Sequence, residues 1–240
     1  MTTDEQKKAA AKAAALEFVK PDMTLGLGTG STAKHFIDEV GAMVRDGLTI
    51  KCVPTSEETR RHAERLKIPL TTLEVVPHLD VTVDGADEFD EDFNVMKGGG
   101  GALLAEKIVA SSSRYMVVIA DQTKKVKTLG AFPLPVEVVP FGVKATAWKI
   151  ERALSIVGLD AKMTIRQRDG KVFRTDGGHV IIDCAIGKIP EPRRLSDLLS
   201  IIPGVVDHGL FIGICGIVMM GTDDGVKKFL KPPRQSAAVA

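Results

Sequence analysis

Four short apolar runs, residues 23–27, 48–53, 79–83 and 115–120, each end in a cluster of glycines, hydroxyls or charges. Segments of helical period, 33–44, 57–66 and 102–111, lie between them, and 68–73 reads as a further strand. This alternation constrains the fold most. Strands separated by helices cross over rather than turn back, so they run parallel, and the class is α/β. The clusters GLGTGST, Thr55-Ser56, DGADE and DQTKK then share one edge, outside the carboxyl ends of the strands, where open parallel sheets bind ligands.

The first cluster is the most specific. Residues 23–27 run into GLGTGST, after which Ala33, Phe36, Ile37, Val40 and Val44 recur at helical spacing. A strand, a glycine turn and a helix make a place for phosphate. Glycines let the main chain approach an anion, the first helical amides lack internal partners, and Ser31 and Thr32 add hydroxyl donors. The same hydroxyls also suit plain helix capping. Nucleotide motifs fit less well: the sixth position of a GxGxxG fingerprint counted from Gly26 is Ser31, and no Gly-Lys-Ser/Thr follows as a P-loop requires. The expected ligand is a small phosphate ester.

Residues 83–106 gather Asp84, Asp87, Lys97, four consecutive glycines and Glu106. Two carboxylates three apart on a glycine turn share one environment, which raises one apparent pKa and suits hydrogen bonding to hydroxyls. A metal is the rival use, although no histidine lies near. A calcium loop fails because DEFDEDFN lacks the glycine and the glutamate of that register. Glu106 falls one turn into a helix; alone it would read as solvent-facing. Beside Lys97 and the aspartates it completes a set for proton abstraction next to a carbonyl: a carboxylate base, a cation for the developing oxyanion, and acceptors for hydroxyls. With a phosphate cradle on the same edge, the substrate class is a sugar phosphate. Lys124 and Lys125 reach that edge too, where they equally suit a charged turn. His62 with Arg60, Arg61 and Arg65 reads as a solvated helix face.

From residue 129 prolines crowd the chain, and a helix, short strands around the Asp176-Gly177-Gly178 turn and a second helix follow. This predicts a compact α+β insertion over 132–203. Residues 1–131 and 204–240 would form the main domain, with 205–220 and a terminal helix returning to its sheet. Lys+Arg and Asp+Glu number 32 and 31, so the net charge of +1 favours neither nucleic acid nor an anionic membrane, and an anion must be held locally. The longest apolar run, 211–220, carries Gly213 and Gly216 and is shorter than the roughly 20 residues of a spanning helix. The opening MTTDEQKKAAAKAAALEFV reads as an amphipathic helix rather than a targeting segment. Cys52, Cys184 and Cys215 are odd in number and far apart, which points away from disulfides or a zinc site and toward a reducing cytoplasm.

GLGTGSTAKHF, DGADE, KGGGGALLAEK and IADQTKKVKTLGAFPLPVEVVP, with IPGVVDHGLF and GTDDGVKKFL further on, resemble ribose-5-phosphate isomerase, type A, over essentially the whole chain. The resemblance implies interconversion of D-ribose 5-phosphate and D-ribulose 5-phosphate in the non-oxidative pentose phosphate pathway, with no cofactor, in a homodimer or homotetramer. It implies a Rossmann-like, mostly parallel sheet carrying a smaller, ferredoxin-like domain. It makes Glu106 the base that shuttles a proton between C2 and C1 through a cis-enediolate, and Lys97 the stabiliser of its charge. Asp84 and Asp87 would bind sugar hydroxyls and help open the ring. Thr29, Gly30, Ser31 and Thr32 would hold the phosphate or nearby oxygens, with Gly85, Ala86, Gly98, Gly99 and Gly100 as further binding positions and Lys124 and Lys7 as ligand-contacting lysines. Gly101 stands where a small residue such as alanine is often seen, a difference expected to add backbone freedom and little else. Other readings of the same residues are a sugar-phosphate deaminase on a related fold, or a sugar-phosphate sensor that binds without reacting.

Overall fold

The computed structural model describes residues 1–232; the short tail RQSAAVA noted in the sequence lies outside the described residues. The first half of the chain forms α1 (Thr3–Phe18), β1 (Thr24–Leu27), α2 (Ser31–Arg45), β2 (Lys51–Pro54), α3 (Glu57–Arg65) and β3 (Val81–Gly85). Then come β4 (Glu88–Phe89), β5 (Val95–Met96), α4 (Leu103–Ser111), β6 (Met116–Asp121), β7 (Leu134–Val138), α5 (Val143–Ile156) and β8 (Lys162–Ile165). The rest is β9 (Gln167–Arg168), β10 (Lys171–Val172), β11 (Val180–Ala185), α6 (Pro192–Ser200), β12 (Val205–His208), β13 (Leu210–Phe211), β14 (Cys215–Thr222) and β15 (Gly225–Leu230).

Six strands make the main sheet in the order β15-β14-β6-β3-β1-β2, parallel except for the edge strand β15. The sequence of β6, MVVIAD, explains its central place. Val117 and Ile119 enter the core beneath α1 and α2, while Met116, Val118 and Ala120 enter a second core with Phe89 and Phe211. A strand apolar at every position before its closing Asp121 needs cover on both faces, which this layered arrangement supplies.

α1 opens with a capping box in which Thr2 accepts the Glu5 N–H and the Glu5 carboxylate accepts the Thr2 N–H. Its buried face is Ala10, Ala11, Ala14, Ala15 and Phe18. Such small side chains let the helix lie close on β14 and β6. At Gly221 the approach leaves no room at all, since a Cβ there would stand 2.0 Å from the Gln6 carbonyl oxygen.

The smaller unit is an antiparallel sheet, β12-β7-β11-β8, with α5 and α6. Its own core includes Leu134, Val136, Ile150, Ile182, Leu195 and Leu199. A three-stranded sheet, β13-β5-β4, links the two layers: Met96 of β5 joins this core and Val95 joins the one behind the main sheet.

Three sequence expectations change. Residues 68–73 form a single bridge, Cys52 to Leu70, because Pro69 has no N–H with which to extend a ladder. Strand β12, expected with the main sheet, pairs with β7 instead, and the chain enters the six-stranded sheet only at Cys215. The expected terminal helix is strand β15. Asp224-Gly225 is a hairpin signal placed directly after β14, Gly225 takes φ +116°, and the Thr222 hydroxyl donates to the Gly225 carbonyl at 2.8 Å. Lys227 and Lys228 on this edge discourage pairing with another chain.

Gly221→Ala forces α1 off the sheet and is expected to cost about 1–3 kcal/mol. Urea unfolding checks this; an unchanged midpoint would show that the contact is not tight.

Candidate active site

The carboxyl edge of the main sheet is fastened by small polar side chains. Asp84, near the end of β3, accepts on Oδ1 from the amides of Thr29 at 3.1 Å and Gly85 at 2.7 Å. Gly28 leaves it that space, since a Cβ would stand 2.1 Å from the same oxygen. The Thr29 hydroxyl meets Thr55 Oγ1 at 2.8 Å, Ser56 Oγ at 2.8 Å and Thr59 Oγ1 at 3.1 Å. Ser56 also caps α3 by accepting the Thr59 N–H. The ends of β1 and β2 are thereby held in one hydroxyl network, to which Asp84 ties β3 through the Thr29 amide.

Helix α2 begins at Ser31 with Gly30 as N-cap and no side-chain cap. Ser31 and Thr32 therefore do not cap it, and its first amides point outward from the loop as an anion site would need. Lys7, on α1, donates to Ser31 Oγ at 3.1 Å. Asp223 anchors both flanking elements: it accepts from the amide groups of Gln6 at 2.9 Å and Gln122 at 3.2 Å. Gln6 is the neighbour of Lys7, and Gln122 opens the 3-10 turn that carries Lys124.

Lys97 lies at the centre. Its Nζ stands 3.1 Å from Asp84 Oδ2 and 3.1 Å from Glu106 Oε1, and it donates to the Gly85 carbonyl at 2.8 Å. The Asp84 Oδ2 contact is at ion-pair distance but off the hydrogen-bond direction, and that oxygen has no hydrogen-bond partner. Glu106 Oε2 is likewise buried with no partner. Asp87 accepts the Gly99 N–H at 2.8 Å.

These groups surround a narrow cavity of about 100 Å³. It is lined by Thr29, Gly30, Ser31 and Thr32 with Lys7 and Lys124, and by Gly85, Ala86 and Asp87 with Lys97, Gly98, Gly99, Gly100 and Glu106. Among the sequence-derived candidates only Asp84 does not line it. Asp84 is fully buried, engaged by two amides and Lys97. Lys125, by contrast, pairs with Glu91 at 3.1 Å, a charged turn in the ordinary sense. A roomier cleft of about 420 Å³ between α3 and α4 is lined mainly by apolar side chains such as Val53, Leu70 and Ile108. Convergence of polar groups, not volume, makes the narrow cavity the candidate site. Among the described residues no group of three or more His, Cys, Asp or Glu is arranged to hold a metal ion.

Sequence reading missed the contribution of the smaller unit. Arg166 donates to the Gly98 carbonyl at 2.6 Å, and Asp176 accepts the Glu57 N–H at the start of α3 at 2.9 Å. Arg166 belongs to no motif, and Asp176 gave only a turn signal. Gly101 also proves more constrained than expected: it takes φ +87°, and a Cβ would stand 2.4 Å from the Phe173 ring. Both the backbone angle and the ring exclude alanine here.

Burial pushes the Glu106 carboxyl up from 4.5 to about 8, with Lys97 opposing and Asp84 reinforcing the rise. Burial also works against the Lys97 ammonium, but Asp84, Glu106 and Asp87 together outweigh it and hold Lys97 above its ordinary value. A carboxylate beside a lysine usually falls in pKa. Glu106 rises because the Lys97 charge is shared with Asp84 while its own desolvation is complete.

A family model described as ribose 5-phosphate isomerase A (phosphoriboisomerase A) matches residues 51–225. The ribose-5-phosphate isomerase A of Nitrobacter hamburgensis is 56% identical over 228 residues, covering 95% of this chain and 98% of the relative. That of Parvibaculum lavamentivorans is 58% identical over 226 residues, covering 94% and 97%. The solved ribose 5-phosphate isomerase from Plasmodium falciparum superposes with a TM-score of 0.92 at 36% identity, covering 96% of this chain and 100% of that one. A solved D-ribose-5-phosphate isomerase in complex with phospho-erythronic acid superposes at 0.89 with 40% identity, covering 96% and 100%.

The raised Glu106 pKa has a stability consequence. Between the ordinary 4.5 and about 8 the folded protein binds a proton that the unfolded chain does not, so Glu106 lowers stability as pH rises through that window. At about 1.4 kcal/mol per pH unit the full effect is on the order of 5 kcal/mol. Glu106→Gln lacks it. Urea unfolding is expected to find the variant clearly more stable than the parent at pH 8 and close to it at pH 5; an equal difference at both values would contradict the raised pKa.

Proposed function

The chain belongs to the ribose 5-phosphate isomerase A family, and from that premise we propose how its cavity interconverts D-ribose 5-phosphate and D-ribulose 5-phosphate. The protein is an aldose–ketose isomerase. The observation that carries the assignment of roles is Glu106, a buried carboxylate with one oxygen on Lys97 and the other unpartnered, lining a polar cavity.

In this reading Glu106 takes the proton from C2 of the open-chain aldose. Electron density moves onto the C1 oxygen, giving a cis-enediolate whose charge meets the Lys97 ammonium. Glu106 then returns its proton to C1 while the O2 proton passes to O1, so the ketose leaves with its composition unchanged. Asp87, which faces the cavity, accepts a sugar hydroxyl and assists ring opening. Asp84 acts one step back, by holding Lys97 and the Thr29 amide. Ser31, Thr32, the first amides of α2, Lys7 and Lys124 bind the phosphate, and the main chain at Gly85, Ala86, Gly98, Gly99 and Gly100 faces the sugar. This reading is supported by the meeting of two lysines and the uncapped start of α2 with the Asp87 and Glu106 carboxylates in the lining of one narrow cavity. Phospho-erythronic acid, named with one solved relative, is a phosphorylated sugar acid that would address both sets of groups.

The reaction is a step of the non-oxidative pentose phosphate pathway. We further infer a homodimer or homotetramer in the cytoplasm. Exposed Phe141, Trp148, Ile156 and Ile201 on the smaller unit support an assembly surface, and three free, buried cysteines suit a reducing compartment. No described helix is long and apolar enough to cross a membrane.

Glu106→Gln is expected to lose about 10²–10⁴ in kcat while binding inorganic phosphate as the parent does. Near-full turnover by that variant would remove Glu106 from the role of base. Because the base must be unprotonated, kcat/KM of the parent should climb with pH and level off above about 8. Turnover that stops when a chelator is added would instead favour a metal in the site.

A further inference from the structure

The smaller unit reaches the catalytic edge through a side chain that no sequence motif marks. Arg166, just past β8, forks onto Asp183 of β11, with Nε 2.9 Å from Oδ2 and Nη2 on Oδ1. Its Nη1 donates to the carbonyl oxygens of Gly98 at 2.6 Å and Gly99 at 3.3 Å. The pair is largely buried, with the Arg166 side chain 12% exposed, so the guanidinium is fixed in plane by a bidentate partner. Arg168 adds a longer contact to the Gly100 carbonyl at 3.5 Å and stacks 4.4 Å from the Phe173 ring, which in turn covers Gly101. The glycine loop has no side chains with which to anchor itself. It is held from outside, residue by residue, by the smaller unit.

Those contacts fix which way the peptide groups face. No peptide bond in the described chain is cis, and in a trans peptide the C=O and the following N–H point in opposite directions. Turning the Gly98 and Gly99 carbonyls to Arg166 therefore turns the Gly99 and Gly100 amides the other way. On that side Gly99 donates to Asp87, and both glycines line the cavity next to Lys97. We propose that Arg166 is a positioning residue that aims the Gly100 amide at the oxygens of the sugar's reacting end and keeps the Gly99 amide on Asp87, with Asp183 setting its angle. The inference rests on the isomerase reading above. It adds a backbone contribution to enediolate stabilisation, supplied by the smaller unit rather than by the main sheet.

Arg166→Lys keeps the charge and loses the fork, whereas Asp183→Asn keeps the arginine and frees its angle. Each is expected to lower kcat by about 10²-fold, the effect of a small misplacement of reacting groups, with KM little changed. Affinity for phospho-erythronic acid should fall alongside kcat, while affinity for inorganic phosphate and the urea midpoint stay near parental values. The double variant should be no worse than Arg166→Lys alone, because both act through one unit. Parental kcat in both single variants overturns the proposal. So does a loss in which both ligands weaken alike and the urea midpoint drops, which would leave the pair a structural role only. Failure of the parent protein to convert ribose 5-phosphate would instead remove the isomerase reading, an outcome separate from either of these.

Discussion

One buried ammonium organises the reactive edge. Lys97 follows β5, and its partners come from elsewhere: Asp84 and Gly85 from β3, Glu106 from α4. Two fully desolvated carboxylates would otherwise face each other across a few ångströms. Removing the cation from such a buried ionic cluster typically costs about 3–5 kcal/mol because the remaining negative charge is left uncompensated. The close approach of β3 and α4 therefore depends on this cation, and so does the shape of the cavity between them.

The same cation is not enough to neutralise its surroundings, and that shortfall is useful. Asp84 has two amides on one oxygen and Lys97 beside the other, whereas Glu106 has Lys97 on one oxygen and nothing on the other, and burial raises the pKa of both carboxyls. A carboxylate left in this condition holds a proton more readily than an ordinary glutamate, and a base is most effective when its pKa lies near the working pH. The lining around Thr29 to Thr32 follows a different rule. There the Thr29 hydroxyl network, the uncapped start of α2 and two lysines present donors in excess, which suits a charged group that is held but never altered.

Much of this was legible in the chain because local chemistry dictated it. Apolar runs closed by glycine or hydroxyl residues located the strand ends, and Thr29, Ser31, Asp87, Lys97, Glu106 and Lys124 converge on the edge those ends define. What escaped sequence reading depended on partners distant in the chain. Asp84 looks equivalent to Asp87 in DGADE, yet the strand pleat and the Thr29 amide take it below the cavity floor. Gly101 looks interchangeable with alanine until Phe173, more than seventy positions later, is packed against it. Arg166 carries no local signal, since its targets are carbonyl oxygens and any residue supplies those. The terminal strand escaped although a turn signal, Asp224-Gly225, stands directly at its start.

The way α1 is seated has a consequence for how the protein is made. Its alanine face rests on β14, and its Gln6 backbone touches Gly221, so α1 is completed by a strand that follows it by most of the sequence. Domains fold as units, and the amino-terminal parts of a chain leave the ribosome first. The carboxylates of β3 and α4 are synthesised well before β14, whereas the seat of α1 on α2, β6 and β14 is complete only once β14 has emerged. A chain that stops short of β14 therefore carries Asp84, Lys97 and Glu106 but lacks one of the elements on which α1, with Lys7, rests.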